Sequence, residues 1–110
     1  MARAATKTVT DADNGKTVTI KMGDVLEVRL SSNPTTGYQW SLQKQSTTLL
    51  KLSGQSSTKP APGVLGAPIV QIFDFAPTGK GTGVLMLHYA RSWESSDPNE
   101  QQYTLHVTIE

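Results

Sequence analysis

At 110 residues the chain has the length of one domain with one hydrophobic core, 1–110, which excludes a TIM barrel or a complete dinucleotide-binding enzyme. Hydrophobic residues make up 36% and charged residues 17%, both below the usual globular share, so such a chain folds if about half of its strand positions face water. The formal net charge of +1 supplies no global field toward nucleic acid or an anionic membrane, and zero cysteines exclude a disulfide framework, a thiolate zinc site and a cysteine nucleophile.

No apolar run approaches the roughly 18 residues of a membrane span. The start, Met1 to Asp13, lacks the apolar stretch of a secretory signal. Asn33-Pro34-Thr35 carries Pro in the middle position and is therefore not a glycan acceptor.

Where a period can be read it is two, not 3.6, and Gly, Pro, Asn and Ser separate the segments. After a polar lead-in, Thr17 to Lys21 alternates with Val18 and Ile20 inward, and Met22-Gly23-Asp24 turns the chain into Val25 to Leu30, with Leu26, Val28 and Leu30 inward. Tyr38 to Leu42 places Tyr38, Trp40 and Leu42 on one face, and Leu49 to Leu52 is a weaker strand. Gln55 to Gly66, rich in Ser, Pro and Gly, reads as an exposed loop. Strands resume at Val70 to Phe75, turn through Ala76 to Gly81, and continue as Val84 to Tyr89 with Leu85, Leu87 and Tyr89 on one face. Tyr103, Leu105, Val107 and Ile109 alternate with Thr104, His106 and Thr108 in the last strand. This pattern predicts an all-β fold, an immunoglobulin-like β-sandwich of about seven to eight short antiparallel strands, with an open barrel as its competitor.

Catalytic signatures are weak throughout. His88 and His106 fall at polar-side positions of predicted strands with no acid spaced to complete a metal shell, so they read as surface histidines. No Gly-Xaa-Ser-Xaa-Gly elbow supports a serine nucleophile. Gly79-Lys80-Gly81-Thr82-Gly83 runs into a strand where a phosphate loop must open a helix, and Asp74, Glu94, Asp97 and Glu100 lack a cleft that would desolvate a carboxylate pair. The residues indicate neither an enzyme nor a cofactor.

Two loops stand out instead. In Ser31 to Trp40, Pro34 fixes its φ and restricts Asn33, Gly37 permits conformations other residues resist, and Tyr38 and Trp40 can fasten the loop's end to the core. Thr35 and Thr36 give this stiff loop a tip of two hydroxyls. Ala90 to Pro98 carries Arg91 and Trp93, residue types enriched in binding hot spots, and in an immunoglobulin-like sandwich the two loops lie at one end.

Asn33-Pro34-Thr35-Thr36-Gly37-Tyr38 followed by Trp40, then Leu65-Gly66-Ala67, then Tyr89-Ala90-Arg91-Ser92-Trp93, in this order and at these separations, resemble the chagasin family of cysteine-peptidase inhibitors. The resemblance implies an immunoglobulin-like sandwich that reversibly blocks papain-like or cathepsin L-like peptidases with loops 31–37, 63–70 and 90–98. It implies that Thr35 and Thr36 stand over the catalytic Cys and His, that Leu65, Gly66, Ala67, Pro68 and Ile69 lie along the non-primed side, and that Arg91, Ser92 and Trp93 grip the other side. The implied partner is the peptidase alone, bound by a monomer, with no nucleic acid and no membrane.

This chain departs from the family pattern twice. The resemblance makes Leu65 the candidate for the apolar pocket of the non-primed side; the middle loop usually reads Gly-Xaa-Gly-Gly, whereas Gly66-Ala67 is followed here by Pro68, which has no N–H for a paired strand, and by the bulky Ile69, the alternative apolar anchor. The usual Arg-Pro-Trp is Arg91-Ser92-Trp93, a loss of preorganisation worth roughly 0.4 to 1 kcal/mol. An immunoglobulin-like adhesion or carbohydrate-binding module would use Trp93 and Tyr38 as a stacking platform, and peptidase inhibition separates the two readings.

Overall fold

Alternating apolar residues fold into eight strands in the computed structural model, which describes residues 5–33, 38–43, 47–58, 69–91 and 101–110, with Arg91 described through its backbone only. In chain order these are β1 (Thr6–Thr10), β2 (Thr17–Ile20), β3 (Val25–Ser32), β4 (Tyr38–Leu42), β5 (Leu50–Ser57), β6 (Ile69–Pro77), β7 (Gly81–Arg91) and β8 (Gln101–Ile109). They form two four-stranded sheets of order β1-β3-β6-β5 and β2-β8-β7-β4. From β3 onward this is the immunoglobulin order, with β2 added beside the last strand.

The core lies where the inner faces meet. Leu26 pairs with Phe75 and Val28 with Phe73 in one sheet, and Leu85 pairs with Leu105 and Leu87 with Tyr103 in the other. All eight are buried, and each large apolar side chain so removed from water contributes about 1.5–3 kcal/mol. Leu42 shares the inward face of Trp40, yet it ends an edge strand and remains exposed.

The sheets are mixed, not wholly antiparallel as the alternation suggested. β1 runs parallel to β3 and β2 parallel to β8, because a single 3₁₀ turn at Asp11–Asp13 arches the chain from one sheet to the other. The polar lead-in is thus a strand. Only Val9 of β1 is buried, so the alternation that marks the other strands is absent and the backbone ladder to β3 defines it.

Side chains hold the arch. Asp13 Oδ2 accepts the Thr10 N–H at 2.9 Å, the Asp11 carboxylate accepts the Ser31 N–H at 3.1 and 3.2 Å, and Asn14 Oδ1 accepts the Thr104 N–H at 2.9 Å. The Tyr103 hydroxyl donates to the Thr10 carbonyl at 2.9 Å from the opposite sheet. Burial, with the negative charges of Asp13 and Asp11, pushes the Tyr103 phenol well above the usual tyrosine range and keeps it a donor.

β5 continues through Ser57, beyond the Gln55 at which the composition predicted a loop, after a bulge between Leu52 and Gly54. Backbone pairing to β6 on one side suffices for this edge strand, so its polar residues carry no burial signal. The glycine run after Lys80 starts β7, and Gly83 admits Thr47: a Cβ there would fall 2.6 Å from the Thr47 Cβ.

At the end of the sandwich where β3 and β7 begin, the Val25 N–H donates to the Ala5 carbonyl at 2.8 Å. Glu110 there exchanges backbone hydrogen bonds with Ile20 and Met22 at 2.9 and 3.0 Å. Among the described residues no helix is long and apolar enough to cross a membrane.

The Tyr103 environment predicts a pH dependence. The phenol's pKa is raised only in the folded chain, so the unfolded chain loses this proton first, near pH about 10, and stability present below that value falls as pH rises. Urea unfolding at about pH 8 and about pH 11 should show a steeper loss for the native chain than for Tyr103→Phe. The variant starts about 1 kcal/mol less stable at the lower pH because it lacks the hydrogen bond to Thr10. Equal losses would show that the phenol does not couple to folding.

Candidate functional site

Strand register brings the roots of the predicted loops to one end of the sandwich. Ser32 at the end of β3 pairs with Ile69 at the start of β6, and Tyr38 at the start of β4 pairs with Arg91 at the end of β7. Tyr89, two residues earlier on β7, pairs with Gln101 where β8 begins. Of the predicted site residues, Asn33, Tyr38, Ile69 and the Arg91 backbone are thereby gathered. Pro34, Thr35, Thr36, Gly37, Leu65, Gly66, Ala67, Pro68, Ser92 and Trp93 lie outside the described residues.

The core changes character beneath these roots. Among the described residues, the buried polar ones are Ser32 and Gln71, and both lie here, on the inner face of the β3–β6 sheet. The Gln71 side chain spans the two sheets, its Oε1 accepting the Trp40 N–H at 2.9 Å and its Nε2 donating to the Trp40 carbonyl at 3.4 Å. Trp40 returns the link, its indole Nε1–H donating to the Ser31 carbonyl at 2.9 Å. The Ser32 hydroxyl donates to the Tyr38 carbonyl at 3.5 Å, and the Asn33 N–H donates to the Tyr89 hydroxyl at 2.9 Å. The Gln71, Trp40 and Ser32 bonds join one sheet to the other, and the Asn33 bond ties the residue that follows β3 to β7.

Aromatic rings fill the space between them. Tyr38 stacks on Tyr89 with centroids 5.3 Å apart, Trp40 lies 5.0 Å from Tyr89, and Trp40 meets Tyr103 edge-on at 6.3 Å. Such pairs contribute about 0.5–1.5 kcal/mol each beyond their burial. Tyr38 and Trp40 therefore fasten the end of the first loop to the core, as their sequence positions suggested.

The middle loop is the tip of the β5–β6 hairpin. Its stem closes one step beyond the ladder, where the Thr58 N–H donates to the Val70 carbonyl and the Val70 N–H donates to the Thr58 hydroxyl, both at 2.9 Å. Ile69 is half-buried in this stem and shares the face of Gln71 and Phe73, so its bulk packs at the loop's root.

Sequence reasoning missed Gln71 and Thr58, and it placed Ser31 and Ser32 in the first loop, where the structure keeps them as the last residues of β3. A usable signal existed for Gln71: it holds an inward position in register with Phe73 and Phe75, and a polar residue on a buried face needs a partner. Thr58 carried none, since threonine is ordinary at a strand end.

Other candidate chemistry is dispersed. His106 lies opposite Val84 and His88 opposite Gln102, four positions apart along the same strand pair, or about 13 Å. Among the described residues no three His, Cys, Asp or Glu side chains gather as a metal would require. A cavity of about 340 Å³ opens between β1 and β2, beside Lys7, Asp13 and Lys16, and among the described residues none of those predicted for the site lines it.

Residues 19–107 match the family profile described as Chagasin family peptidase inhibitor I42. The chain is 30% identical to Chagasin of Trypanosoma cruzi over 103 residues, covering 90% of this chain and 94% of that protein. It is 28% identical to Amoebiasin-2 of Entamoeba histolytica over 107 residues, 96% of this chain and 87% of that protein. The crystal structure of the cysteine protease inhibitor EhICP2 from Entamoeba histolytica superposes with a TM-score of 0.86 at 27% identity, covering both chains completely.

If Gln71 ties the two sheets together, Gln71→Leu leaves the Trp40 N–H and carbonyl without these bonds in a buried place and lowers stability by about 1–3 kcal/mol. Urea unfolding followed by tryptophan fluorescence measures this. An unchanged midpoint would mean that packing alone sets the position of Trp40.

Proposed function

Since the chain belongs to the chagasin family of peptidase inhibitors, we propose that it is a reversible, tight-binding inhibitor of papain-like cysteine peptidases that fills the active-site cleft with three loops, whose expected spans 31–37, 63–70 and 90–98 shorten because β3 runs through Ser32, β6 starts at Ile69 and β7 runs through Arg91. The single observation that carries this reading is the convergence of Asn33, Tyr38, Ile69 and Arg91 at one end of a sandwich whose sheets are cross-tied there. Loops rooted on one braced platform keep their spacing before they meet a partner, which reduces the ordering cost of association.

In this reading Asn33 to Gly37 enter the cleft centrally, with Thr35 and Thr36 over the catalytic Cys and His. The loop fills the site without offering a carbonyl in line with the thiolate, and without that near-attack geometry no acyl-enzyme forms. Leu65 to Pro68 take the non-primed side. Ile69 packs at the root of its loop, so Leu65 is left as the apolar anchor for the pocket there. Arg91, Ser92 and Trp93 hold the opposite side, with the indole stacked on an aromatic of the cleft rim. A wedge of this kind buries roughly 1,600 Å², a standard interface, and preordered loops place its affinity in the nanomolar range or tighter.

Titration of papain, assayed with a fluorogenic peptide, should give stoichiometric loss of activity that returns on dilution. Thr35→Arg should weaken inhibition by about a hundredfold or more, the scale of a lost hot spot. Thr82→Arg, on an exposed position of β7 opposite Thr108, should leave inhibition unchanged. Full peptidase activity at micromolar protein, or equal small effects of the two substitutions, would count against this mode of action; glycan binding in the first case would favour the carbohydrate module.

A further inference from the structure

We infer that Tyr89 is a positioning residue that couples the central loop to the third loop, so that the two engage a peptidase as one unit. The inference rests on the three-loop reading and extends it. The backbone of Tyr89 belongs to the root of the third loop: on β7 it stands two residues before Arg91, pairs on one side with Gln101, where the chain returns, and on the other with Trp40. Its side chain belongs to the central loop. The hydroxyl accepts the Asn33 N–H at 2.9 Å, and the ring stacks on Tyr38 at 5.3 Å, so one residue touches both ends of that loop.

The placement of the Asn33 contact sharpens the point. Pro34 follows with no N–H of its own, so Asn33 offers the last backbone donor before Thr35. Pinning that donor to a side chain of β7 makes the position of the central loop a function of where the end of β7 lies. Tyr38 and Trp40 both pack on the same ring, with centroids 5.3 and 5.0 Å away, so the ring that carries the hydroxyl is itself held by the strand that leaves the central loop. A tyrosine that served folding alone would need the ring contacts but not a hydroxyl bonded to the first residue of a neighbouring loop.

Tyr89→Phe separates these roles, because it keeps the ring and removes the acceptor. The test measures inhibition constants against papain for Thr35→Ala, Trp93→Ala and their combination, each with Tyr89 or Phe at position 89, and follows unfolding midpoints in parallel. The expected result has three parts. Tyr89→Phe alone weakens inhibition by about five- to tenfold, the scale of one hydrogen bond, and lowers the unfolding midpoint no more than Tyr103→Phe does. With Tyr89 in place the double variant loses less than the product of the two single losses, by about fivefold or more. With Phe the losses multiply.

Losses that multiply already in the presence of Tyr89 would overturn the coupling while leaving the three-loop reading intact. If Thr35→Ala and Trp93→Ala both left inhibition unchanged, the loop reading would fall and the coupling with it. A drop in midpoint for Tyr89→Phe with unaltered inhibition would overturn the inference in favour of a purely structural tyrosine.

Discussion

A hydrophobic core holds two sheets together but does not say where one sits relative to the other, because burial is non-directional and rewards any arrangement that excludes water. Directional bonds between the sheets remove that freedom at one end of this molecule. Gln71, the Trp40 indole and Ser32 each reach across the gap to a backbone group of the opposite sheet, and Tyr89 reaches the backbone of Asn33 just past the end of β3. Buried polar groups are costly unless satisfied, so this seam tolerates few other geometries, and the loop roots inherit its definition. At the other levels the same gap is filled by Leu26, Val28, Phe73, Phe75, Leu85, Leu87 and Leu105, which only need to fit.

This division of labour matches an inhibitor that acts by shape. A protein that blocks a cleft performs no bond chemistry, so its physical task is to present several chain segments at fixed spacing while each remains long enough to project. The aromatic series Tyr38, Tyr89, Trp40 and Tyr103 serves that end, since it runs from the loop roots into the core and carries stiffness between them. The hairpin stem closed by Thr58 and Val70 secures the middle loop through β5 and β6, with Ile69 and Val70 also paired to Ser32 and Ser31 of β3.

Much of the fold was legible because burial leaves a period of two. β2, β3, β7 and β8 announce themselves through Val18 and Ile20, Leu26 to Leu30, Leu85 and Leu87, and Tyr103 to Ile109. β1 and the second half of β5 did not, because they are edge segments held by backbone pairing, which any side chain permits. Their parallel or bulged pairing was equally hidden, since register and direction depend on partners far away in the chain. What the structure describes at the loop roots was legible in Tyr38 and Trp40, whose aromatic rings on one strand face announced that they fasten the end of the first loop to the core. It was illegible where an ordinary residue acquires its role from position: Tyr89 reads as one more inward aromatic until the Asn33 N–H is found on its hydroxyl.

The turn that joins β2 to β3 lies at the pole opposite the loops, and both described extremities of the chain gather beside it, Ala5 against Val25 and Glu110 against Ile20 and Met22. The residues about Ala5 and Glu110 therefore lie about the length of the sandwich away from the roots of the loops proposed to meet a peptidase. That pole is a handle: a dye or resin attached to a side chain there leaves the proposed loop surface unobstructed.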